Sequence, residues 1–154
     1  MWELSILKDP VGIGSKNLNW HCQSAEAPKM TGQTIAIQLH GLHIRQPGIY
    51  DNPHTLTLQF VETVDSTINN MFKDWRELCW NTMNATSVSK KELEGEIRLV
   101  LQNYDDSPRW EFVLKGCFLE DYDPTGGQLD GATSDIIRPS LTLAYDYFID
   151  KPIG

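Results

Sequence analysis

The chain has 154 residues, a length that fits one domain spanning 1–154 and allows a buried core. Hydrophobic residues make up 40% and charged residues 22%, which argues against a disordered chain. Thirteen Lys and Arg against 21 Asp and Glu leave a net charge of −8, which argues against a dedicated nucleic-acid binder, because displacing phosphate counterions needs a basic surface.

Trp2, Leu4 and Ile6 alternate with Glu3 and Ser5, the pattern of a half-buried strand. A Gly-rich turn follows at Val11–Ser15, then a short strand around Leu18 to Ser24 that ends at Ala27-Pro28. Gln33 to His40 places Ile35, Ile37 and Leu39 on one face and Thr34, Ala36 and Gln38 on the other. Beyond Gly41 the apolar positions become Leu42 and Ile44, so the phase changes, and Gly at that point predicts a bulge or bend. His43 to His54 reads as a long connection with Ile49 and Tyr50 at its tip beside Pro47-Gly48. Thr55 to Val64 resumes alternation through Leu56, Leu58 and Phe60.

One helix is expected, with Asp65 or Ser66 as its cap. Ile68, Met71, Phe72, Trp75, Leu78 and Cys79 form its apolar face, and Lys73 and Glu77 form an outer i,i+4 pair. Asn81 to Gly95 is polar, aperiodic and read as a loop. Ile97, Leu99 and Leu101, then Trp110, Phe112 and Leu114, make a hairpin turned at Asp105-Asp-Ser-Pro108. An acidic loop at Glu120–Asp135 precedes a last strand with Leu141, Leu143, Tyr145, Tyr147 and Ile149 at alternate positions. Many short strands with one covering helix predict a mainly β fold, a sandwich or partly open barrel with one packed helix.

Chemistry-bearing motifs are sparse. His40 and His43 are three apart on a strand and point to opposite faces, so they are poorly placed as metal ligands. Asp121-Tyr-Asp123-Pro-Thr-Gly126 opens like a calcium loop but carries Thr125 and Ala132 where that pattern needs acidic or amide ligands. Cys22 and His21 are adjacent on a strand and face apart. Of the five tryptophans, Trp2, Trp75 and Trp110 fall on apolar faces and are read as core, whereas Trp20 and Trp80 are unassigned. No catalytic residues, cofactor or metal are expected. Cys22, Cys79 and Cys117 are odd in number and widely spaced, which suits a reducing cytoplasm rather than a disulfide framework. Met1 to Asp9 lacks the regions of a signal peptide, and no apolar run approaches a membrane span.

The order of motifs resembles the T4-type tail-tube family of contractile phages, related in fold to the Hcp tube of type VI secretion. The resemblance is carried by Trp20-His-Cys22-Gln-Ser-Ala-Glu-Ala-Pro28, by the strand Thr55-Leu-Thr-Leu-Gln-Phe-Val61, and by Phe72 and Trp75 on the helix. It continues in Trp110-Glu-Phe-Val-Leu-Lys-Gly116-Cys-Phe and in the ending Leu141-Thr-Leu-Ala-Tyr-Asp146-Tyr-Phe, similar to the family's "VTLALDYW". Ala27 stands before Pro28 where the family more often has Leu.

That resemblance implies a structural virion protein forming the inner tube of a contractile tail, not an enzyme. Hexameric rings would share one continuous inner β-barrel and stack into a conduit for DNA ejection. The implied partners are further copies of the chain, the tail sheath, the baseplate and the tape-measure protein. Double-stranded DNA would pass without specific binding, and the tail would be assembled in the host cytoplasm. Ile49 and Tyr50 are the expected inter-ring contact, because apolar residues at a loop tip mark association. The alternatives are a baseplate tube initiator, an Hcp-like or bacteriocin tube subunit, or a monomeric β-sandwich binding module.

Overall fold

The computed structural model describes residues 1–14, 19–62, 65–126 and 136–153. Its elements run β1 (Trp2–Lys8), β2 (Cys22–Ala25), β3 (Thr31–Leu39), β4 (Leu42–Asp51), β5 (Thr55–Phe60), α1 (Thr67–Cys79), α2 (Lys90–Leu93), β6 (Gly95–Gln102), β7 (Pro108–Asp123), β8 (Ser140–Ala144) and β9 (Tyr147–Pro152). Seven strands form one antiparallel sheet in the order β1-β6-β7-β8-β5-β2, with β9 also paired to β7. The sheet is open, and it turns a corner along β7.

The corner is built by a few residues. The first half of β7 pairs with β6 and β9, and its second half pairs with β8. Between them Gly116 adopts φ 68°, a conformation that L side chains rarely reach. The Asp146 carboxylate fills the space that a Cβ on Gly116 would need, and the Asp146 N–H donates to the Lys115 carbonyl at 2.9 Å. So β8 and β9 bend beside β7, and the result is two four-stranded halves, β1-β6-β7-β9 and β7-β8-β5-β2, around a shared core.

That core follows the alternation seen in sequence except at the last strand, which breaks into β8 and β9 so that Tyr147 and Ile149 leave the buried row and are exposed. Leu4 and Ile6, Ile97 and Leu99, Leu114, Leu56, Leu58 and Phe60, and Leu141 and Leu143 are all buried in one cluster. Helix α1 adds Ile68, Phe72 and Trp75 to it. The Phe72 ring sits 5.1 Å from that of Phe60 and 5.7 Å from that of Tyr122, and the Tyr122 hydroxyl meets Asn69. Burying side chains of this size stabilises by roughly 1.5–3 kcal/mol each. Trp75 also donates its indole N–H to the Leu93 carbonyl at 3.0 Å, which anchors α2.

Several expectations are corrected at element ends. Ser66 is the cap residue of α1, but its φ is 55° and its side chain makes no cap hydrogen bond. Glu62 caps instead, its carboxylate accepting the N–H groups of Ile68 at 3.1 Å and Asn69 at 3.0 Å. Glu77 pairs with Arg76 at 3.0 Å rather than with Lys73. The expected loop at Asn81–Gly95 contains the short helix α2 and a bridge from Asn81 to Thr86. Residues 19–21 form a helical turn ahead of β2, where a strand was expected, and Leu18 lies outside the described residues. Strand β7 extends to Asp123, into the expected acidic loop, of which 127–135 also lie outside the described residues. Trp75 lies in the core and Trp2 is half-buried against it, whereas Trp110 is only half-buried.

Candidate assembly surfaces

Strands β3 and β4 form a two-stranded hairpin that pairs with nothing else among the described residues. Its place follows from two prolines. The β2–β5 ladder ends where Glu26 N–H donates to the Thr57 carbonyl at 3.1 Å, and pairing resumes only at Thr31 opposite Asp51. Pro28 and Pro53 lie on the two chains in that gap, and neither can donate a ladder hydrogen bond. Beyond it the hairpin leaves the body as an arm, about 30 Å long at the usual rise for the nine residues of β3. Every residue of β3 and β4 is exposed except half-buried Gly48.

The arm turns at His40 and Gly41, with φ of 44° and 83°, the two-residue turn whose twist suits a hairpin. This explains the change of phase at Gly41. Ile37 pairs with Ile44 and Leu39 with Leu42, so the shift in period gathers Ile35, Ile37, Leu39, Leu42 and Ile44 onto one face. The bulge or bend expected at Gly41 is a tight turn between two strands. The opposite face carries Thr34, Ala36, Gln38, His43 and Arg45. Ile49 and Tyr50 are not at the tip, because they belong to β4 near the arm's base. They are nevertheless 77% and 62% exposed, and the Tyr50 ring lies over Gly32. From Gly32 to Tyr50 the arm holds one of the chain's 13 Lys and Arg and none of its 21 acids.

The outward faces of the two half-sheets differ in chemistry. On β5 and β8 the outward residues are Thr55, Thr57, Gln59, Ser140, Thr142 and Ala144, with Asp121 and Asp123 beside them on β7. The strands of this half contribute no Lys or Arg beyond Gly116. On the other half-sheet Glu111 accepts from Arg98 at 2.6 Å and is paired with Lys151 at 2.9 Å, while Lys115 pairs with Glu96 at 3.1 Å. The Lys151 hydrogen bond, set against burial and joined by Arg98, holds the Glu111 carboxyl below its ordinary value. Leu7, Tyr147 and Ile149 lie exposed on the same face.

The remaining candidates resolve locally. His40 lies in the arm's turn and His43 stands opposite Gln38, and no group of metal-ligating residues occurs among the described residues. Asp123 spends its carboxylate on its own turn, accepting from the N–H groups of Thr125 and Gly126. The three cysteines are free thiols, and burial pushes those of Cys22 and Cys117 up to about 12. Trp20 and Trp80 are 77% and 53% exposed, and Trp80 borders an apolar groove with Val88, Leu93 and Phe118. No described helix is long and apolar enough to cross a membrane.

No protein-family model and no curated protein matches the chain. Solved structures do match it in fold. A chain in the cryo-EM structure of the sheath–tube complex of an extracellular contractile injection system, PVC, in the extended state aligns with a TM-score of 0.65. The identity is 17%, with 99% of this chain and 88% of that one covered. The sheath/tube terminator structure of the same system aligns at 0.63, with 16% identity and 97% and 92% covered. A chain of the anti-feeding prophage tube-terminating cap aligns at 0.60, with 17% identity and 86% and 80% covered. The protein therefore has the fold of contractile injection system tube-end and sheath–tube components.

Proposed function

We propose that this chain is the tube subunit of a contractile tail, a structural protein whose copies close into hexameric rings and stack into a hollow conduit. The observation that carries the reading is the β3–β4 arm. A two-stranded hairpin is marginal alone in water, and this one holds five exposed Ile and Leu side chains on one face. Its partner is a second copy. From Gly32 to Tyr50 the arm carries Arg45 and no acid, whereas the rest of the chain holds every acid, so arm and body attract between copies and not only through apolar burial. The contact is head-to-tail, arm to body, and such contacts build rings and filaments. Ring closure also pairs the open edges of the sheet, which otherwise invite aggregation.

The face on β5 and β8 suits a lumen. Hydroxyls, amides and small side chains give a wet, even wall, and Asp121 and Asp123 with no neighbouring strand cation let a polyanion such as double-stranded DNA slide rather than stick. The particle is then a phage virion tail assembled in the host cytoplasm, with sheath, baseplate and tape-measure protein as the other partners. A tube terminator or initiator is the second reading, favoured by the likeness to terminator, cap and baseplate chains. A terminator caps a tube and does not polymerise alone.

The test is a pair of variants, Ile37→Asp with Ile44→Asp on the arm's apolar face, and Ile49→Asp with Tyr50→Asp near its base. Both should stay folded by circular dichroism and lose long tubes by sedimentation, with the second pair separating rings from stacks. Normal tube yield from both would remove the arm from the account.

A further inference from the structure

We infer that His54 is a proton-dependent clamp that sets the direction of the β3–β4 arm relative to the body. The clamp lies within one chain and stands apart from the tube reading. Among the described residues the arm pairs with no strand of the body, so its direction is decided at its base. There Asp51 closes β4, and Asn52-Pro53-His54 leads into β5.

His54 is anchored to the body through its backbone. Its φ is 55°, a conformation that a residue with a side chain keeps only where its neighbours fix it. Its N–H donates to the side-chain oxygen of Asn52 at 2.9 Å, and its carbonyl accepts the Tyr145 N–H at 3.0 Å. Tyr145 belongs to the core, between β8 and β9.

The two ring nitrogens face two acceptors. Nδ1 lies 3.3 Å from the Tyr145 carbonyl oxygen, on the body, and Nε2 lies 3.5 Å from Oδ1 of Asp51, on the arm. Neutral imidazole has one N–H and one lone pair. Either tautomer therefore turns a lone pair toward an oxygen, and only the imidazolium donates to both. An exposed His–Asp contact alone is worth little. Here the other nitrogen meets a carbonyl of the body, so one proton closes both ends of a bridge between arm and body.

The surrounding charges leave Asp51 as the direct partner. Glu26 beyond β2 and Cys117 on β7 act on the Tyr145 hydroxyl, and Cys117 stays a neutral thiol. Asp146 is taken up by Lys90. Lys29, ahead of β3, shares a shallow depression with Asp51, Asn52 and Pro53 and opposes the positive ring, whereas Glu26 favours it. Histidine changes charge between about pH 5 and 8, so the clamp is closed on the acid side of that range and opens as pH rises through it.

Backbone ¹⁵N relaxation of the full chain, kept as single copies by dilution, tests this. Amides from Gln38 to His43 should have order parameters near about 0.85 at pH 5.5 and below about 0.6 at pH 8. His54→Asn, which tolerates a positive φ, should give the low value at both. Asp51→Ala, on the exposed arm and away from the core, should also abolish the response. His40 and His43 lie on the arm itself, so a response that survives in His54→Asn would belong to them and overturn the proposal. An arm equally ordered at both pH values in the unmodified chain would overturn it as well. Loss of tube formation would count against the tube reading and leave this result untouched.

Discussion

Glu111 and Gly116 sit five residues apart on one strand and decide different things. Gly116 lets β7 turn from one half-sheet into the other, and Asp146 occupies the room its missing side chain leaves. Asp146 in turn accepts from Lys90 at 2.5 Å, so the corner also ties down α2. Glu111 is depressed in the folded state by Lys151 and Arg98, so it binds its proton less readily when folded than when unfolded. Its contribution is then present above the unfolded glutamate value of about 4.3 and is lost as pH falls through the lower folded value. Urea midpoints measured from pH 7 to pH 3 should therefore fall on the acid side, and Glu111→Gln should be less stable at pH 7 with a shallower acid decline. An unchanged pH dependence in that variant would show that Glu111 does not carry it. Gly116 was visible in sequence as part of the Lys-Gly-Cys-Phe motif. Glu111 was not, because its cations stand 13 and 40 positions away and no local pattern links them.

At the scale of elements, periodicity located most of what is buried, but it missed Ile13, Leu93, Val100, Cys117 and Leu119 and placed the exposed Tyr147 and Ile149 in the buried row. Helix α1 was legible because Ile68, Phe72 and Trp75 recur at helical spacing, and all three are in the core. Its cap was not legible, since the Glu62 carboxylate reaches it from outside the first turn. The arm shows the opposite failure. The change of phase at Gly41 was seen and read as a bulge or bend, so Leu42 and Ile44 were separated from the stripe they complete. Two strands of a hairpin share a face only through their register, and register depends on the turn. Because the arm adds no buried side chain to the core, excising Gly32–Tyr50 with a short Gly-containing turn in its place should cost little. The melting temperature should stay within about 4 °C of the full chain, while tube formation disappears. A large loss of stability would mean that the arm packs on its own body instead of on a neighbour.

For the whole molecule, the tube proposal rests on a mainly β fold with open edges, an arm without acids from Gly32 to Tyr50 and two chemically distinct outer faces. The mainly β class with a packed helix could be read from strand alternation, and the motif order pointed to the tube fold that the structural likeness supports. Which residues share the cation-free outer face could not be read, because the sorting of Thr55, Thr57 and Thr142 to it depends on how β7 bends. The most direct measurement is negative-stain electron microscopy of the purified full chain across a concentration series. Stacked rings and hollow tubes of uniform width that lengthen as concentration rises are the expected result. A discrete monomer at every concentration, with or without a preformed tube end to nucleate growth, would contradict it and favour a monomeric β-sandwich binding module.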